Sequence, residues 1–127
     1  MSTGKILLSI EDDESTSQVI QLALEMMAGW TVLIANSGVE GVAMAETQQP
    51  DAILLDVAMP VINGLETLHR LQANPTTRHI PVILLTGFPA LVNHRQRAEL
   101  GVKGVIVKPF DPLRLAKGVE SALAGIW

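Results

Sequence analysis

The chain has 127 residues, of which 48% are hydrophobic, with a net charge of −4 and no cysteine. That length suits a single domain spanning 1–127 with a proper core, and that apolar share excludes a disordered chain. The lack of cysteine excludes disulfides and thiolate metal sites, no apolar run approaches the roughly 18 residues of a membrane span, and the one basic cluster, 94–97, lacks the stacking aromatics of a nucleic-acid binder.

In chain order, the apolar run 6–10 reads as β1 and the amphipathic stretch 15–28 as α1. A second apolar run, 32–35, gives β2. Ser37 with Glu40 three residues on resembles a capping box, and it opens α2 at 38–47. The run 52–56 is β3, and Asn63 with Glu66 repeats the capping pattern before α3 at 64–73. Next come β4 at 82–86 and α4 at 89–100, with Gly101 as a stop. The last unit is β5 at 104–108 and α5 at 112–124, where Asp111 is the expected N-cap and Pro112 takes the first helical position.

The strand runs are short, solid and rich in β-branched residues, as strands covered on both faces are. Five βα units in alternation predict an α/β three-layer sandwich around a five-stranded parallel sheet with five helices. Met26, Met27 and Met44 lie on apolar helix faces and are expected in the core.

In open parallel sheets, ligands bind outside the carboxyl ends of the strands. Those ends carry Glu11, Asp12 and Asp13 after β1, Asp56 on β3, Thr86 on β4 and Lys108 on β5, although the strand interiors are almost wholly apolar. Each has a plainer role available. Asp56 could cap a turn, Asp12 could open a helix, Thr86 could be a strand-end hydroxyl and Lys108 a surface ammonium. Four such residues on one edge point instead to a site. Carboxylates crowded at one point repel each other, which raises a pKa or demands a cation. A hard ion such as Mg²⁺ takes one or two carboxylates, a few waters and phosphate oxygens. A hydroxyl and an ammonium suit the remaining phosphoryl oxygens, with Asp56 as the nucleophile of an aspartyl phosphate.

Over almost its full length the chain resembles the receiver domains of two-component response regulators. The segments that carry the resemblance are "KILLSIEDDES", "ILLDVAMPVINGLE", "PVILLTG" and "GVIVKPFDPLRL". The spacings from Asp12 to Asp56, from Asp56 to Thr86 and from Asp56 to Lys108 agree with that family. The resemblance implies a flavodoxin-like sheet of order 2-1-3-4-5 and a cytoplasmic signalling protein. It implies that Asp56 accepts a phosphoryl group from a sensor histidine kinase or a histidine phosphotransfer protein. Asp12, with Glu11 directly or through water, would hold Mg²⁺ (or Mn²⁺) together with Asp56 and the backbone carbonyl of Ala58. Lys108 would pair first with the carboxylate and then with the phosphoryl group, and Thr86 would move its hydroxyl onto a phosphoryl oxygen. The Lys108–Pro109 bond would be cis. Asp13 falls one place past the matching acids and is expected to face solvent or cap α1.

Output would run through the α4–β5–α5 face to a protein target, an attached output domain or a second copy of the chain. Such a chain is either a stand-alone regulator or part of a larger regulator or hybrid kinase. Where most receivers carry an aromatic residue on β5, three places before the lysine, this chain has Val105, which is short and stiff at χ1. Ala58 and Phe88 stand where polar residues are frequent. Three rivals remain. A degenerate receiver acting without phosphorylation should have lost Asp56, Lys108 or the acids, and all are present. An aspartate-nucleophile phosphatase needs a general acid where Ala58 stands. A Rossmann domain needs a Gly-rich turn after β1.

Overall fold

The computed structural model of the chain describes residues 4–57, 64–87 and 94–127. These form β1 (Ile6–Ile10), α1 (Glu14–Ala28), β2 (Thr31–Ala35), α2 (Gly38–Gln48), β3 (Ala52–Asp56), α3 (Gly64–Ala73), β4 (Val82–Thr86), α4 (His94–Leu100), β5 (Gly104–Val107) and α5 (Leu115–Ala122). The strands make one parallel sheet of order β2-β1-β3-β4-β5. The fold class and strand order are as expected. The part of α4 expected at 89–93 lies outside the described residues.

Every residue of β3 and β4 is buried, because these strands are covered on both faces. One side of the sheet packs Leu7, Leu54, Ile83 and Leu85 against Ile20 and Leu24 of α1 and Val119 of α5. The other packs Leu8, Ile10, Ile53 and Leu55 with Leu68 and Leu71 of α3 and Ala45 of α2. Truncating a fully buried leucine such as Leu55 to alanine costs about 2–5 kcal/mol in such a core. At the pole away from the strand C-termini, the rings of Trp30 and Trp127 meet edge to face with centroids 5.0 Å apart, and Lys5 Nζ lies 5.4 Å from the centre of Trp127.

Local signals behave largely as their chemistry requires. The Ser37 hydroxyl accepts from the Glu40 amide, and the Glu40 carboxylate accepts from the Asn36 amide, one residue earlier than a strict capping box. Gly101 has φ +71°, the left-handed geometry that ends α4. Two expectations are corrected. Asp111 accepts from the Leu113 amide through its side chain and from the Arg114 amide through its carbonyl. It therefore caps a tight turn, and regular helix begins only at Leu115. Met26 and Met27 are 74% and 55% exposed, because α1 buries the stripe of Ser17, Ile20, Ala23 and Leu24. Met44 does pack against the core.

Candidate functional site

Glu11 follows β1 directly, and its amide donates to the Ala35 carbonyl, so the ladder to β2 continues through it. The Ser17 hydroxyl, buried on α1, lies 3.4 Å from the Glu11 carbonyl. Asp13 then turns the chain into α1 as its N-cap, with its carboxylate accepting from the Thr16 amide at 2.9 Å. The Thr16 hydroxyl and amide hold the Asp13 carboxyl below its usual range. Capping is therefore the role of Asp13, and Asp12 keeps an exposed carboxylate at the sheet edge.

Asp56 ends β3 and is 2% exposed; Glu11 is 1% exposed. One carboxylate oxygen from each of Glu11, Asp12 and Asp56 lies within 4.8 Å of the others. Lys108 follows β5, and the Lys108–Pro109 peptide is cis. Its Nζ sits 2.8 Å from Glu11 Oε1 and 3.3 Å from Asp56 Oδ1. Thr86 ends β4 beside Val107 and is buried. The strand register thus brings all five predicted side chains to one edge. Ala58 lies outside the described residues.

The electrostatics follow from burial. Desolvation, reinforced by the neighbouring Asp56, pushes the Glu11 carboxyl up to about 7; the Lys108 ammonium and the Asp13 amide pull the other way and lose. Burial also pulls Lys108 down, but Glu11 and Asp56 outweigh it and leave the ammonium above its ordinary value. A cluster of oxygen donors with one amine suits a hard, oxygen-seeking cation; among the described residues it includes no sulfur or imidazole ligand that would favour a softer metal.

Two contributors escaped the sequence reading. Ser17 looked like one more polar residue on an amphipathic helix. Gly64 looked like a filler between Asn63 and Glu66 of a capping pattern, yet it is a contact residue. A Cβ there would lie 2.3 Å from the Asp56 carbonyl oxygen and 2.3 Å from Val57 Cα. Only a glycine lets α3 approach the end of β3 so closely. Its place eight residues after Asp56, opening a helix, was the available signal.

A doubly wound sheet that gathers acids around one lysine at its carboxyl edge is the architecture of phosphoacceptor signalling domains, and comparison with known families agrees. The chain belongs to the response regulator receiver domain family, whose model matches residues 7–120. It is a receiver domain of the two-component type. It is 34% identical over 117 residues to the DNA-binding dual master transcriptional regulator RpaA of Synechocystis sp., covering 92% of this chain and 48% of that protein. The chain thus spans about half the length of several of the regulators it matches. Among solved structures, the chemotaxis response regulator CheY4 of Vibrio cholerae superposes with a TM-score of 0.84 at 30% identity, covering 95% of this chain and 100% of that one. The receiver domain of the sensor histidine kinase PA1611 of Pseudomonas aeruginosa, with a magnesium ion in its active-site cleft, gives 0.82 at 27% identity, covering 96% and 99%. Among the described residues, no helix is long and apolar enough to cross a membrane.

Proposed function

We propose that this chain is a cytoplasmic phosphoacceptor switch that takes a phosphoryl group on Asp56 from a phosphohistidine of a sensor histidine kinase or a histidine phosphotransfer protein. The observation that carries the reading is the buried Asp56 carboxylate with Lys108 Nζ at 3.3 Å and the Glu11 and Asp12 oxygens beside it. An Asp56 oxygen attacks phosphorus, the P–N bond breaks, and the imidazole leaves with the electron pair. Glu11, Asp12, Asp56 and the Ala58 carbonyl are the proposed holders of Mg²⁺, which when bound neutralises charge on the phosphoryl oxygens. Lys108, already drawn to this edge by two acids, supplies a further positive charge for the product. The Thr86 hydroxyl, on the strand next to β3, is the proposed reporter: by bonding a phosphoryl oxygen it would pull on the loop after β4 and alter the α4–β5–α5 face.

That face would then engage a protein target, an attached output domain or a second receiver. The protein would turn over nothing but its own aspartyl phosphate. Intact mass after incubation with acetyl phosphate and Mg²⁺ tests the reading. The wild type should gain one phosphoryl group, and Asp56→Asn should gain none. A wild type that never gains the mass would favour an interaction module that works without phosphorylation.

A further inference from the structure

The sheet has an edge at β2, and the run TVLIA there is mostly apolar, carries the β-branched Thr31, Val32 and Ile34, and has no charge. An edge of that composition is a template for pairing with another extended chain. Alternate residues of a parallel strand turn both backbone groups to the same side. Thr31 donates to the Lys5 carbonyl and Ala35 accepts from the Glu11 amide, so the odd-numbered positions serve β1. Val32 and Ile34 therefore turn their N–H and C=O outward.

At Val32 both outward groups are already taken, by side chains of α1. Gln21 Nε2 donates to the Val32 carbonyl at 3.1 Å, and Glu25 Oε2 accepts from the Val32 amide at 3.3 Å. Positions four apart on a helix lie one above the other, which lets this pair meet one residue's N–H and C=O together. Just beyond β2, Glu40 Oε2 accepts from the next outward amide, that of Asn36, at 3.4 Å. The run of outward positions 32, 34 and 36 is thereby interrupted on either side of Ile34. A second strand needs successive outward residues to form a ladder, and Ile34 by itself does not make one.

We propose that Gln21 and Glu25 act as guards that close the β2 edge to strand pairing with a second copy of this chain. The substitutions Gln21→Ala and Glu25→Ala together should open it. Sedimentation velocity should then show a mass that rises with concentration above that of the wild type, whereas Glu25→Gln, which keeps an acceptor oxygen, should match the wild type. Adding Val32→Pro removes the outward N–H at a position where an edge strand tolerates proline, and should reverse the association. Amide exchange provides a second reading in the single variant Glu25→Ala. The Val32 amide should exchange more slowly than that of Ile34 in the wild type, and about tenfold faster than in the wild type once its partner is lost. Wild-type mass in a folded double variant, or an unchanged Val32 exchange rate in Glu25→Ala, overturns the proposal.

Discussion

The ammonium of Lys108 lies 2.8 Å from Glu11 Oε1 and 3.3 Å from Asp56 Oδ1, so the acid after β1 holds it more closely than the acid of β3 does. Lys108→Met removes the cation that two buried carboxyl groups share. Breaking a fully buried pair costs about 3–5 kcal/mol, but Lys108 is partly exposed and water screens part of that. The expected loss in metal-free protein at pH 8 is roughly 1–3 kcal/mol by urea unfolding. At pH 5, where Glu11 keeps its proton, the loss should shrink. An equal loss at both pH values would mean that the pair contributes through packing alone.

Glu11 also predicts a pH dependence. Its carboxyl has an ordinary value of 4.5 and is raised to about 7 in the folded protein by burial and by Asp56. Between these values the folded state keeps a proton that the unfolded chain has lost. The stability linked to this group is therefore complete below about 4.5 and is lost as pH rises through about 7. Its full size is roughly 3 kcal/mol at 1.36 kcal/mol per unit. Glu11→Gln should flatten the pH–stability curve of the metal-free protein across this window; a curve that keeps the wild-type slope would assign the titration to another group.

Addition of Mg²⁺ is expected to raise the melting temperature, since it relieves repulsion among Glu11, Asp12 and Asp56. A ligand that binds only the folded state adds roughly 1.4 kcal/mol at ten times its Kd. Asp56→Ala should stabilise the metal-free protein and weaken the response to Mg²⁺. A thermal shift as large as that of the wild type would remove Asp56 from the metal site.

Gly64→Ala places a methyl group 2.3 Å from backbone atoms of Asp56 and Val57, which cannot rotate out of the way as a side chain can. Overpacking of this kind costs about 1–3 kcal/mol. Because the displaced backbone carries Asp56, phosphoryl uptake should slow by more than stability alone explains. Mass-resolved uptake from acetyl phosphate, measured well below the variant's melting temperature, separates the two. Wild-type uptake in a destabilised variant would confine Gly64 to packing.

Val105 is half-buried against the core cluster that includes Leu84 and Leu68. A short side chain anchored there has little room to swing, so a phosphoryl mimic should shift the amides of α4 and β5 only modestly. Val105→Tyr should enlarge those NMR shifts. If the tyrosine variant responds no more than the wild type, output does not pass through this position.

The alternation of strands and helices was legible in the sequence, because solid apolar runs, the 3.6-residue helical period and capping residues are local properties. The sequence also showed that Asp56 and Thr86 end strands and that Lys108 stands at the end of the β5 run, one residue past the point where the strand stops, and a parallel sheet then carries those ends to one edge. The tertiary structure alone decided which groups meet there. Glu11 and Lys108 stand 97 positions apart, and their contact depends on how β1 and β5 sit in one sheet. The exposure of Met26 and Met27 was likewise illegible, since it depends on which side of α1 a neighbour covers. The start of α5 at Leu115 escaped the sequence reading because Asp111 caps a turn with the same local bonds that would open a helix. Gln21 and Glu25 read as ordinary polar residues of an amphipathic helix until α1 is laid beside β2. A side chain's partner is set by distance in space, and local sequence carries no record of that distance.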